Sequence, residues 1–271
     1  MSLVCRKINF NKMVKIVHLH GFKCAGTTFI WILEKIYGSK LLYVEKRGGK
    51  ERLFWKDLQE ACNLLNYNAI TSHTLEFPRI QANDYLFVEF VREPLSRIKS
   101  AYNFQIKVGD IKPNLLFNEY VKQSIGTTRD NFMSRRLSTQ SNSQSIWSLD
   151  KNIIELNQAN LFVGLVEKFD ESLVLLEELL LKSYDLKLDL SYPKAQNKSI
   201  KNDLVGNKYS ISEDVLNKVA QKDFLLYDRV RKDIDTKISL TVNFNKKHAE
   251  FKERCINLKR QNLKVSVKSQ N

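Results

Sequence analysis

The segment Lys15-Ile-Val-His-Leu-His-Gly-Phe-Lys-Cys-Ala-Gly-Thr-Thr-Phe29 has the make-up of a site that holds a phosphate-like anion. Ile16, Val17 and Leu19 form an apolar strand that runs into a loop of small residues. Gly21 and Gly26 free that loop to turn, and Phe29, Ile30, Leu33 and Ile36 mark one face of the helix that follows. Amides at the start of such a helix face an anion. The spacing from Gly21 to Gly26 is that of a P-loop, but Thr27 and Thr28 stand where a nucleoside triphosphatase carries Lys and then Ser or Thr. The lysine lies inside the loop instead, at Lys23, where it can neutralise a shorter phosphate-like group without metal. A second cation ends a second strand. Leu86 to Val91 is nearly all apolar, as expected of a strand covered on both faces, and Arg92 follows it, with Pro94 suited to a first helical turn. Ligands of open parallel sheets bind at the carboxyl ends of the strands, and a planar guanidinium takes a phosphate by two hydrogen bonds.

Four segments, in order, resemble the motifs of sulfotransferases that use 3′-phosphoadenosine 5′-phosphosulfate (PAPS). Phe22 to Phe29 is similar to the family's 5′-phosphosulfate loop. Phe87 to Phe104 is similar to its 3′-phosphate element, with Arg92 and Ser100 in the two functional places. Thr128 to Ser138 resembles its Asp-Asn-x-x-Thr-Arg-x-Leu-Ser element, with Ser134 where the family has Thr. Leu161 to Leu173 resembles its Val-Gly-x-x-Glu-x-Phe-x-x-Ser-Leu element. The likeness spans roughly residues 14 to 230, and within the family it is to the branch of the heparan-sulfate 2-O-sulfotransferases and their bacterial relatives. It implies PAPS as donor, adenosine 3′,5′-bisphosphate (PAP) as product, and no metal. Lys23, Cys24, Ala25, Gly26, Thr27 and Thr28 would hold the 5′-phosphosulfate, and Arg92 and Ser100 the 3′-phosphate. Lys23 would also stabilise the charge of the leaving group. Lys198 and Ser199, beside Asn197, resemble a late cofactor loop, though a basic surface turn is an equal interpretation.

An acceptor hydroxyl must lose its proton as it attacks sulfur, and His or Glu usually takes it. His73, in Ile70-Thr-Ser-His-Thr-Leu-Glu-Phe77, falls where the membrane-anchored relatives carry a Gly-His element whose His acts as base, with Ser72 in place of the Gly. Glu76 is the second candidate. Arg135 either positions the acceptor or braces the fold. His18 and His20 alternate with core residues along the first strand, so one of them points toward the cleft. The expected fold is α/β: a P-loop-like three-layer αβα sandwich with a central parallel sheet. Strands are expected at 14–20, 68–72, 85–91 and 162–165, and helices at 27–37, 54–65, 170–183 and 212–233. The expected core stripes are Leu173, Leu176 and Leu180 in one helix and Val215, Val219, Leu226 and Val230 in another.

At 271 residues the chain suits a single domain, burying about 70% of its unfolded surface. Residues 105–150 read as a substrate lid and 243–271 as a basic C-terminal helix and tail, with eight Lys or Arg against two Glu from Lys246 onward. No apolar run approaches the ~20 residues of a membrane span, and residues 1–20 do not read as a secretory signal, so a cytoplasmic location is expected. The four cysteines lack the paired short spacing of a zinc site or disulfide framework. The formal net charge of +14 favours an anionic cofactor or an acidic polymer, without any nucleic-acid-binding signature. A small hydroxylated metabolite or a glycan is the expected acceptor. Two rivals remain: a P-loop kinase-like phosphotransferase, and a non-catalytic basic module that binds acidic glycans.

Overall fold

The computed structural model describes residues 14–45, 53–78, 84–137, 160–193 and 209–268. Five strands form one sheet: β1 (Lys15–Leu19), β2 (Leu41–Tyr43), β3 (Ala69–Ser72), β4 (Tyr85–Val91) and β5 (Leu161–Leu165), in the order β2-β3-β1-β4-β5. All four pairings are parallel, with Ile16 opposite both Ala69 and Leu86. Every residue of β1, β3 and β5 is buried, which requires helices on both faces of the sheet and gives the expected three-layer αβα sandwich. The first crossover carries the chain from β1 toward β2 and β3, and the chain then returns to place β4 on the other side of β1. That reversal opens a crevice at the carboxyl ends of β1 and β4.

The helices are α1 (Gly26–Tyr37), α2 (Trp55–Ala61), α3 (Pro94–Lys107), α4 (Phe117–Lys122), α5 (Phe132–Leu137), α6 (Phe169–Tyr184), α7 (Glu213–Leu240) and α8 (Phe244–Lys268). Helix α1 buries Phe29, Ile32 and Leu33, while Ile30 and Ile36 are only partly covered, so its core face is turned slightly from the expected one. The run Phe-Ile-Trp-Ile-Leu is apolar nearly all round and leaves the face undefined by periodicity. Leu173, Leu176 and Leu180 of α6 are fully buried, as their spacing predicts. Helix α3 starts where expected because Glu93 accepts from the amides of Leu95 (3.0 Å) and Ser96 (2.7 Å) and Pro94 occupies the first turn.

Residues 105–107 close α3, and residues 108–137 carry α4 and α5 joined by turns. Phe117, Tyr120 and Val121 of α4 join Ile98 and Tyr102 of α3 and Val219 and Ala220 of α7 in a second, smaller core. Helix α7 continues seven residues beyond the expected 233, because Ile234 extends its apolar stripe. Helix α8 is anchored on the domain by Phe244 and Phe251, with Arg254 placing two 2.7 Å contacts on Glu177 of α6. Among the described residues no helix is long and apolar enough to cross a membrane.

Asp223 interrupts the buried stripe of α7, between Val219 and Leu226, and is itself buried. Its carboxylate accepts the first-turn amides of α5, from Ser134 at 2.8 Å and Met133 at 3.3 Å. Burial raises its pKa, and Arg97, also buried, acts in the opposite direction. Asp223→Ala would leave Arg97 in the interior without its counter-charge and α5 without its cap. We expect it to lose roughly 3 to 5 kcal/mol of stability in urea unfolding, and Asp223→Asn, which keeps an acceptor, to lose clearly less.

Candidate active site

The loop from His20 to Ala25 joins β1 to α1 at the crevice. Its turning is done by residues other than the glycines: Lys23 and Ala25 have φ of 65° and 60°, and Cys24 between them does not. Left-handed residues in such alternation bend successive amides toward one side and form an anion-binding concavity. Within the loop the Cys24 amide donates to Gly21 O (3.1 Å), and Thr28 N donates to Ala25 O (3.0 Å). Thr28 is buried and Thr27 is exposed. The Cys24 thiol is buried, and burial above all pushes its pKa up to about 12, so this cysteine is inert as a nucleophile.

Gly26 is required for a different reason from turning. A Cβ there would lie 1.8 Å from Cδ2 and 2.0 Å from Nε2 of His20, so the imidazole occupies the space a side chain would need. His20 is the middle ring of a stack, 5.1 Å from His18 and 3.7 Å from His73 between centroids. His18 shares a 3.0 Å hydrogen bond with Thr71, and burial first, then its charged neighbours, lowers the pKa of His18 and brings that of His20 to about 3. Both rings are neutral at physiological pH.

His73 follows β3 at the same carboxyl edge. Its amide donates to Glu45 Oε1 (2.7 Å), and its Nδ1 lies 3.1 Å from the carbonyl oxygen of His20. A carbonyl can only accept, so Nδ1 carries the proton and Nε2 of the neutral ring holds the lone pair. Desolvation lowers the His73 pKa, Arg136 adds to the effect, and Glu45 and the His20 carbonyl oppose it. Glu76 lies three residues on, partly exposed, with its amide bonded to Leu53 O.

On the other side of the loop, Arg92 Nη1 donates to Lys23 O at 3.3 Å. The Lys23 ammonium lies 4.3 Å from the centroid of the Phe104 ring, and desolvation, Arg92 and Lys107 all hold its pKa below the ordinary value. Ser100 is buried one helical turn before Phe104 and so shares the face of α3 that meets Lys23. Among the described residues no carboxylate pairs with Lys23 or Arg92. Arg135, by contrast, is tied to Asp130 through Nε (2.7 Å to Oδ1 and 2.9 Å to the carbonyl oxygen) and through Nη2. Lys198 and Ser199 lie outside the described residues, as does the second part of the expected lid, 138–150.

Sequence reasoning passed over the groups beneath the loop. Glu89, inside β4, is fully buried, and a Cβ on Gly21 would stand 3.3 Å from its Oε1. Arg136 of α5 donates to that oxygen through Nε (3.2 Å) and to the carbonyl oxygen of His73 through Nη1 (2.5 Å). Burial raises the Glu89 pKa to about 7 despite the arginine. The available signal was one acid in an otherwise apolar strand, since such an acid needs a buried cation.

No protein-family profile matches the chain. An uncharacterized protein of Archaeoglobus fulgidus is 28% identical over 186 residues, which is 61% of this chain and 72% of that protein. Among solved structures, a sulfotransferase from Alicyclobacillus acidocaldarius superposes with a TM-score of 0.41 at 13% identity, over 82% of this chain and 96% of its own. Mouse sulfotransferase SULT7A1 complexed with PAP superposes with a TM-score of 0.41 at 12% identity, over 89% of this chain and 88% of its own. Superpositions this loose assign neither family nor ligand.

Two outcomes follow from the histidine stack. Gly26→Ala must displace His20 and is expected to cost roughly 1 to 3 kcal/mol, a loss that shrinks in a His20→Ala background when the four proteins are compared in urea. The folded pKa values of His18 and His20 are depressed, that of His20 to about 3, so their contribution to stability is present above the unfolded value of 6.5 and is lost as pH falls below it. Glu89 acts in the opposite sense between 4.5 and about 7. Glu178 and Asp189, whose folded pKa values are lowered, add to the fall below about pH 4.5, so the histidine share is read as a difference: His20→Gln should flatten the fall in unfolding free energy relative to the wild type.

Proposed function

We propose that this chain is a PAPS-dependent sulfotransferase, moving a sulfuryl group to a hydroxyl of a small metabolite or glycan. The observation that carries the proposal is the meeting of Lys23 and Arg92 over a left-handed loop at the head of α1, with no carboxylate between them among the described residues. Burial and Arg92 hold the Lys23 pKa down, a bound anion would relieve that, and the loop amides suit one of phosphate size. PAPS, when bound, supplies an activated sulfuryl group and leaves as the bisphosphate. Lys23, Thr27, Thr28 and the amides of Ala25 and Gly26 hold the 5′-phosphosulfate. Arg92 and Ser100 take the 3′-phosphate, whose recognition separates PAPS from ATP.

His73 serves as base through Nε2. As the acceptor oxygen bonds to sulfur, Nε2 takes the hydroxyl proton, while the bond from sulfur to the 5′-phosphate oxygen breaks on the opposite side. Lys23 then stabilises the negative charge that grows on that phosphate. Donors of this kind contribute roughly 3 to 4 kcal/mol each to the transition state. Phe104 keeps the Lys23 ammonium beside the loop, where it is ready for the anion.

A P-loop kinase would need a lysine after Gly26 and a carboxylate at the end of a strand to hold Mg²⁺. Here residue 27 is Thr, β4 is followed by Arg92, and the acid of that strand, Glu89, is engaged by Arg136 in the interior. These features favour sulfuryl over phosphoryl transfer.

Thermal unfolding with PAP, with ATP plus Mg²⁺, and with neither tests the proposal. PAP at 100 times its dissociation constant should add about 2.7 kcal/mol, or about 5 to 10 °C. A shift with ATP and Mg²⁺ alone would replace the proposal with the kinase, and no shift would favour a non-catalytic basic module. Lys23→Ala and Arg92→Ala should each abolish the PAP shift, whereas His73→Ala should retain it. Equal loss in all three would overturn the division of roles.

A further inference from the structure

We propose that Arg136 is a positioning residue for His73, bridging the segment that carries the base to the central strand through Glu89. The inference rests on His73 as the proton acceptor and adds residues that no motif of the sequence marks. Arg136 makes two directed contacts, Nη1 to the carbonyl oxygen of His73 at 2.5 Å and Nε to Glu89 Oε1 at 3.2 Å. Its side chain is nine-tenths buried and that of Glu89 fully so. Nη2 of the arginine and Oε2 of the glutamate meet no partner among the described residues. The pair is therefore joined by one bond instead of the usual two-bond fork, while Nη1, on the opposite edge of the guanidinium from Nε, reaches His73, so one planar group spans the buried acid and the His73 backbone.

Two consequences follow for the base. The bond at the carbonyl oxygen of His73 fixes the backbone from which the ring is laid over His20, and that placement brings Nδ1 within 3.1 Å of the His20 carbonyl oxygen. The guanidinium charge also favours the neutral ring. The other titratable groups that act on or stack with His73 are His20, with His18 behind it, from β1 and its loop, and Glu45 after β2; Glu89 in β4 is bonded to the arginine, and Glu76 lies three residues on in the same segment. Glu45 and the His20 carbonyl oppose the arginine.

The experiment uses the full chain without acceptor. Long-range proton–nitrogen NMR correlations report both the tautomer and the titration midpoint of each of the four histidines, and His73→Gln assigns the signal. In the wild type His73 should show Nδ1 protonated and a midpoint below that of an ordinary histidine. Arg136→Met combined with Glu89→Gln, which removes both charges together, should raise the midpoint and mix the tautomers. Arg136→Lys should restore the low midpoint. If the double variant does not fold, Arg136→Gln keeps a donor for the carbonyl oxygen and drops the positive charge, so it should raise the midpoint while leaving the tautomer in place. An unchanged midpoint and tautomer in a folded charge-free variant would overturn the proposal, since a purely structural arginine would move neither. The PAP-induced thermal shift should persist in all of these variants. Its absence from the wild type would overturn the sulfotransferase assignment while leaving the behaviour of His73 as an independent result.

Discussion

The imidazole of His20 lies where residue 26 would place a side chain, and most of the site depends on that close approach. With the ring there, the chain can begin α1 only with a glycine, and the last loop residue before it turns left-handed at Ala25. The same ring supplies the surface on which His73 stacks, and the carbonyl oxygen of the same residue fixes its tautomer. A single residue at the end of the central strand thus links the Lys23 loop on one side to His73 on the other. Precision of this kind needs a rigid support, and β1 provides it, buried along its whole length and paired on both sides.

Charge inside the domain is organised around the same crevice. Glu89 with Arg136 and Asp223 with Arg97 place two acids and two arginines among apolar neighbours, where an unmatched member would be costly. Both acids have raised pKa values because desolvation outweighs the attraction of the arginine. Helix α5 is where these arrangements meet. Asp223 caps its first turn, and Arg136 leaves its last turn toward Glu89 and His73. Six residues cannot form a stable helix in water on their own, so α5 exists because α7 and β4 hold it, and its position in turn fixes Arg136.

The two sides of the site differ in electrostatic character. Around the loop, Lys23, Arg92 and Lys107 raise the local potential; around His73, burial and Arg136 keep imidazoles neutral. An anion would relax the first group, and the neutral second group can accept a proton. Sulfuryl transfer needs both conditions in one crevice, a positive field where the leaving charge develops and a base on the attacking side.

Local pattern was enough for much of this. The apolar runs at β1 and β4, the helices after them and the leucine stripe of α6 could be read from periodicity, because each element buries a face that its own residues define. Lys23, Arg92 and His73 could be nominated because each follows a strand, and a parallel sheet brings strand ends to one edge. What the sequence could not contain was distance between residues far apart in the chain. The 69 residues from Lys23 to Arg92 and the 63 from His73 to Arg136 are closed only by the fold. Arg135 and Arg136 are adjacent and chemically identical, yet one is tied to Asp130 while the other reaches the site, since neighbouring positions on a helix point in different directions. Gly26 was legible as a glycine of a turn, but its need comes from the ring of His20, which only tertiary packing places against it.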